Sequence, residues 1–212
     1  MKRSEINQRI GAAERRFENA GFHLPEWAHW RPEEWYEEWK RDNAAYREIV
    51  TAGLGWDLTD FGLGSFREKG LLLFTVRNGS PEGKNELPYA EKLMVVEENQ
   101  ITPTHFHWKK TEDIINRSGA TLVLELQIAD RTSEQPTDES FTVYRDGIRL
   151  ECAPKTQVRL VPGQSITLYP YLYHSFWAEG GTCVVGEVSS VNDDTGDNRF
   201  LEPVGRFPEI DE

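Results

Sequence analysis

The chain has 212 residues, with 24 Lys and Arg against 36 Asp and Glu, a formal net charge of −12 that argues against nucleic acid or an anionic membrane as a partner. Seven Trp, ten Phe and seven Tyr argue for a packed core and against disorder, and two Cys are too few for a disulfide framework. The opening Met1 to Ile6 lacks the apolar stretch of a secretion signal, and no apolar run approaches the ~18 residues of a membrane span, so the expected setting is the cytoplasm.

The first fifth reads as helical. Ile6, Ile10, Ala13 and Phe17 recur at helical spacing behind Ser4, a residue that can cap a helix. Leu24-Pro25 ends that element. A second helix is expected from Pro32, with Glu33 and Glu34 near its positive end, running to a stop at Gly53. Trp35, Trp39, Tyr46 and Ile49 form one aromatic stripe on it, expected to pack on the body of the protein.

After residue 55 the pattern changes to short runs of β-branched and aromatic residues, separated by Gly, Pro, Asn or Asp. They cover 71–76, 93–96, 121–128, 141–144, 158–161, 166–169 and 183–188. Asn78-Gly79, Asp146-Gly147 and Pro162-Gly163 read as turns. Many short strands with turns between them indicate an antiparallel sandwich or barrel. We expect a single domain, 1–212: a helical segment 1–53, a β-barrel 54–192, and a segment 193–212 docking near the active site. The last segment is acidic, from Asp193 to Glu212, yet it carries Phe200, Leu201, Val204 and Phe207, apolar enough for part of it to dock.

Chemistry concentrates in 102–119. His105 and His107, two apart, fall on one face of a strand, and Glu112 follows where a returning strand can bring its carboxylate to the same point. Imidazole and carboxylate together suit a divalent first-row cation. Of the five His, His174 follows a turn and precedes an apolar run, the place for a fourth ligand from a neighbouring strand. His23 and His29, flanking Leu24-Pro25, read as structural or exposed.

The spacing His105-x-His107-x4-Glu112-x6-Gly119 resembles the first metal motif of the cupin superfamily. The second motif departs from the usual pattern, since Pro162-Gly163 lies far from His174. The resemblance extends to one family. Met1-Lys2-Arg3-Ser4-Glu5-Ile6-Asn7, Leu54 to Gly62, Leu73 to Gly79, Thr104 to Arg117 and Glu202 to Ile210 resemble the D-lyxose isomerases, block by block along the chain. The resemblance implies a mainly β fold, the cupin double-stranded β-helix (jelly-roll barrel) with N-terminal helices packed on the barrel. It implies a divalent metal on His105, His107, Glu112 and His174, manganese in the first place with cobalt, zinc or iron as alternatives. It implies a homodimer that takes a small-molecule sugar as substrate and interconverts D-lyxose and D-xylulose, and D-mannose and D-fructose. Other metal-dependent cupin enzymes of the oxygenase type, and non-catalytic sugar-binding cupins, are the alternative readings of the same ligands.

Isomerisation between C1 and C2 needs a base beside the metal. Lys110, on the ligand segment, is one candidate, its pKa expected to fall beside a dication. Glu202, in the docked tail, is the second, its pKa expected to rise through burial. Arg206 is expected to orient Glu202 or to bind a sugar hydroxyl.

Overall fold

The computed structural model describes residues 1–80, 83 and 86–211; Glu212, counted above among the tail acids, lies outside them. The chain opens with α1 (Arg3–Asn19), a 3-10 turn (Glu26–His29), α2 (Pro32–Arg41) and α3 (Asn43–Thr51). Among the described residues eleven strands follow: β1 (Gly55–Thr59), β2 (Leu71–Arg77), β3 (Tyr89–Val96), β4 (Thr102–Phe106), β5 (Glu112–Ile128), β6 (Phe141–Arg145), β7 (Ile148–Cys152), β8 (Thr156–Leu160), β9 (Ser165–Leu168), β10 (Leu172–Ser190) and β11 (Arg199–Phe200). All strand pairings among them are antiparallel. Among the described residues no helix is long and apolar enough to cross a membrane.

Two long strands close the barrel. The first part of β5 pairs with β9 and its last part with β8, while β10 pairs with β4 at its start and with β3 at its end, and the two long strands pair with each other. Each therefore belongs to two sheets at once. Gly119 sits at the shift in register between them, with φ +96° and with the Thr182 carbonyl 2.2 Å from where a Cβ would stand, so the bend accepts only glycine.

The run Leu71-Leu72-Leu73-Phe74 is apolar without alternation because both faces of β2 are covered. Leu71 and Leu73 point into the barrel with Met94, Ile114, Leu124 and Phe176. Leu72 and Phe74 point outward into a second cluster with Leu93, Val95 and, from α1, Ala13 and Phe17. The α1 stripe thus covers the outer face of β2 and β3.

Local details depart from expectation in two places. Lys2, not Ser4, is the N-cap residue of α1, and Ser4 lies inside the helix. The second helix is broken at Asp42, whose side chain accepts the N–H groups of Ala44 and Ala45 and so starts a separate helix. The aromatic stripe packs on the 3-10 turn rather than directly on the barrel: Trp35 meets Trp27, Trp30 and Tyr46, and Trp27 in turn meets Phe74, while Trp39 stays exposed. Asp146-Gly147 is the expected two-residue turn, both residues at positive φ, between β6 and β7. Cys152 and Cys183 are both buried and free.

The tail docks. β11 adds to β4 with Phe200 opposite His105, and the Phe200 ring lies 5.2 Å from that imidazole. Beyond it, Gly205 donates its N–H to the Phe61 carbonyl at 2.7 Å. A Cβ on Gly62 would stand 3.1 Å from the Gly205 Cα, so the tail reaches this place because both residues are glycine. Thr59 Oγ1 donates to the Arg206 carbonyl, holding the Arg206 side chain over the barrel mouth.

Candidate metal centre and active site

One cavity, lined from β1, β2, β3, β4, β5, β10 and the tail, opens at this mouth. Its floor is apolar, with Leu73, Met94, Ile114 and Phe176, and its walls are charged. His105 and His174 face each other across the β4–β10 ladder, with a register shift between His174 and Phe176. That bulge brings Thr102 and His105, three residues apart, to the same cavity. His107 follows just past the end of β4, and Glu112 is the first residue of β5. The two strands do not pair with each other as the hairpin expected from their spacing: His105 on β4 lies opposite His174 near the start of β10, and Glu112 on β5 lies opposite Ser189 near its end.

All three imidazoles are oriented from behind. Nδ1 of His105 lies 2.7 Å from the Pro103 carbonyl, Nδ1 of His107 2.6 Å from the Asp197 carbonyl, and Nδ1 of His174 3.0 Å from the Leu172 carbonyl. A carbonyl only accepts, so each Nδ1 carries the proton, and each ring in its neutral form presents a bare Nε2 lone pair. One ring nitrogen from each of the three lies within 4.8 Å of the other two. Glu112 Oε1 points at the same place, 3.4 Å from His107 Nε2 and 3.2 Å from His174 Nε2. Four acceptors thus face one another with no donor between them, and His107 Nε2 and Glu112 Oε1 are buried without a hydrogen-bond partner. A cation is what this geometry fits, and the His105, His107 and His174 group could hold one. Burial, with His174 and His107 beside it, holds His105 well below the usual imidazole range. Burial and then Lys110 lower His107 in the same direction. Neutral rings suit metal ligands.

Lys110 lines the cavity as well. Its Nζ is buried 2.7 Å from Glu112 Oε2 and 3.0 Å from Glu187 Oε1. Burial alone would lower the ammonium pKa, but the carboxylates of Glu112 and Glu187 override it and raise it. Burial would likewise raise Glu112, and Lys110 and His107 pull it well below the carboxylate range instead.

From Lys110 a chain of alternating charge crosses the cavity wall. Glu187 lies 3.7 Å from Lys92 Nζ, Lys92 lies 3.4 Å from Asp194, Asp194 lies 3.2 Å from Arg206, and Arg206 lies 2.7 Å from Asp57. Asn192 ties Lys92 and Lys110 together, accepting from both at 2.7 and 3.3 Å. Burial opposes ionisation of Asp194, yet Lys92 and Arg206 hold it well below the usual carboxylate range. Asp57 goes the other way: burial raises it, with Arg206 opposing.

Glu202 does not join this assembly. It is exposed, in a bend whose neighbours Phe200 and Arg206 face the cavity, so the burial expected of it is absent. Arg206 does reach the cavity, paired with Asp57 and Asp194 rather than with Glu202. Phe106, Trp108, Tyr171 and Tyr173 form a satellite cluster with Leu201, and the cavity's own aromatics are Phe61, Phe176 and Phe200. Sequence reasoning missed Asp57, Lys92, Glu187, Asp194 and Asp197. The available signal was a single charge inside an apolar strand, as for Lys92 beside Leu93-Met94-Val95-Val96 and Glu187 between Gly186 and Val188. Asp197 is buried, its two carboxylate oxygens accepting the N–H groups of Lys109 and Lys110 at 2.9 Å each.

Comparison with known proteins places this geometry. The chain matches the D-lyxose isomerase family over residues 1–212. It is 50% identical to the D-lyxose/D-mannose isomerase of Escherichia coli O157:H7, over all of this chain and 93% of the relative. It is 48% identical to the D-lyxose/D-mannose isomerase of Serratia proteamaculans, over all of this chain and 92% of that one. Among solved structures it resembles the L-ribose isomerase of Cellulomonas parahominis with L-ribose, with a TM-score of 0.64 at 16% identity, covering 100% of this chain and 98% of the other. At that identity the likeness bears on the fold alone, an antiparallel β-barrel.

Proposed function

The chain belongs to the D-lyxose isomerase family and is a sugar isomerase, and on that premise we propose that it interconverts D-lyxose with D-xylulose, and D-mannose with D-fructose, using a divalent cation, manganese in the first place. The observation that carries the reading is the set of four facing acceptors beside a buried Lys110–Glu187 pair in one cavity. His105, His107, His174 and Glu112 would hold the cation. Bound there, it supplies a Lewis acid that polarises a sugar carbonyl and acidifies the adjacent hydroxyl.

The chain's residues supply the rest. Aldose-to-ketose conversion moves one hydrogen from C2 to C1 and one hydroxyl proton from O2 to O1, with no net redox change and no second substrate. Glu187, buried at the cavity wall, is the base in this reading: its carboxylate takes the C2 proton and returns it to C1. Lys110 is the fixed cation that offsets negative charge while the proton is in transit, in place of the base role its sequence position suggested. Arg206 holds the carboxylates of Asp57 and Asp194 at the far side of the cavity. Glu202, being exposed, has no part in it. The apolar floor and the docked Phe200 limit water around the reacting carbons.

The test is an assay of manganese-loaded protein with D-lyxose and, separately, D-mannose. Formation of D-xylulose and D-fructose, lost on chelation and restored by manganese, supports the reading; absence of both ketoses with manganese or cobalt supplied overturns it. The reading also includes a homodimer, carried over from the resemblance, in the cytoplasm, the setting expected from the sequence; sedimentation velocity checks its mass.

A further inference from the structure

Among the described residues six buried side-chain polar atoms have no hydrogen-bond partner, and four of them belong to residues lining the cavity. Buried polar atoms are almost always satisfied, so a group of orphans in one cavity marks where a ligand supplies the partners. Two of the four, His107 Nε2 and Glu112 Oε1, belong to the acceptor cluster. Asp57 Oδ1 does not.

Asp57 sits in the middle of β1, where its neighbours Trp56 and Leu58 face outward into the cluster under α1. Alternation along the strand therefore turns the Asp57 carboxylate to the barrel interior. Arg206 occupies Oδ2 at 2.7 Å and leaves Oδ1 bare. The chain of ion pairs begins at Glu112 and ends at Asp57, so the bare oxygen stands at the opposite end of that chain from the acceptor cluster. A carboxylate oxygen only accepts, and a sugar anchored by C1 and C2 at the cluster extends its remaining hydroxyl donors toward the rest of the cavity.

We infer that Asp57 Oδ1 accepts a hydrogen bond from a hydroxyl of the sugar beyond C3, making Asp57 a specificity-determining residue; this rests on the isomerase reading given above. Asp57 then registers the tail of the sugar chain while the reacting carbons stay at the other end. Losing one charged hydrogen bond to a neutral hydroxyl corresponds to roughly a tenfold or larger loss in affinity.

The experiment compares D-lyxose with its 4-deoxy and 5-deoxy analogues, on the wild type and on Asp57→Ala and Asp57→Asn. One deoxy sugar should lose at least about tenfold in kcat/KM on the wild type. Asp57→Ala should cost D-lyxose a similar factor, mostly in KM, and cost that deoxy sugar nothing further. An equal penalty on all three sugars would assign Asp57 a structural role only and overturn the inference, as would an unchanged KM for D-lyxose. Asp57→Asn fills the same space and keeps the measurement open if the alanine variant does not fold. Wild-type turnover of D-lyxose tests the isomerase reading separately. Calorimetric binding of the three sugars to manganese-loaded Glu187→Gln protein, with and without Asp57→Ala, scores Asp57 independently of turnover; failure of D-lyxose to bind more tightly than both deoxy sugars overturns the inference.

Discussion

Lys110 Nζ lies 2.7 Å from Glu112 Oε2, while Oε1 of the same carboxylate lies 3.2 Å from His174 Nε2. One carboxylate is thus divided between the Lys110 ammonium on one side and the cluster of acceptors on the other. Lys110 contacts both Glu112 and Glu187, so it links the proposed metal ligand to the proposed base.

Replacing Lys110 by Met leaves Glu112 and Glu187 buried without their shared cation. Breaking a buried pair from one side costs about 3–5 kcal/mol. Urea unfolding of metal-free protein should show a loss of that order, and kcat should fall by roughly 100-fold or more, as when a catalytic proton-transfer assembly is disrupted. A variant as stable and as fast as wild type would remove Lys110 from the account.

The acceptor cluster gives a thermodynamic expectation. A cation that binds only the folded form stabilises it by about 2.7 kcal/mol at one hundred times its Kd. Manganese should therefore raise the melting temperature of the wild type and leave that of His105→Ala unchanged, with metal content of the dialysed proteins measured by mass spectrometry.

Asp197 works from behind the site. Its carboxylate takes the N–H groups of Lys109 and Lys110, and its carbonyl takes the Nδ1 proton of His107. Asp197→Ala keeps the carbonyl and loses the carboxylate. Manganese affinity should weaken by about 10–100-fold, the range for residues that orient metal ligands, as read by titration against a competing chelator.

Acid stability follows from Asp194. Its folded-state pKa lies below the ordinary 3.8, so it stabilises the fold fully above that value and loses the contribution as pH falls below it toward the folded-state pKa. Urea unfolding between pH 5 and 3 should show a steeper loss for the wild type than for Asp194→Asn. Equal slopes would mean that the Lys92 and Arg206 contacts contribute nothing to stability.

Much of the fold and part of the site were legible in the chain. The run 71–76, the Asp146-Gly147 turn and the grouping of His105, His107, Glu112 and His174 rest on local chemistry, and local chemistry can be read directly. The break at Asp42 was missed because a helix stripe passes through it, and only the side-chain cap shows that a new helix starts. Strands β5 and β10 proved longer than their apolar runs, since Gly119 and the Gly180-Gly181 pair bend the strands without ending them. Asp57, Lys92 and Glu187 were hidden because strand alternation tells which residues share a face and not which face is the cavity. Asp194 and Asp197 looked like solvated tail acids; docking of the tail beside β4 is what puts them at the site. Glu202 erred the other way, since a tail can dock through Phe200 and Arg206 and still leave the residue between them in water.

The most direct measurement is conversion of D-lyxose by manganese-loaded protein in deuterated water, followed by NMR, for the wild type and Glu187→Gln side by side. The account expects D-xylulose to form with the wild type and to be reduced at least about 100-fold in the variant, with manganese content unchanged. D-xylulose forming at the wild-type rate in Glu187→Gln, or not forming at all with the wild type, would contradict it.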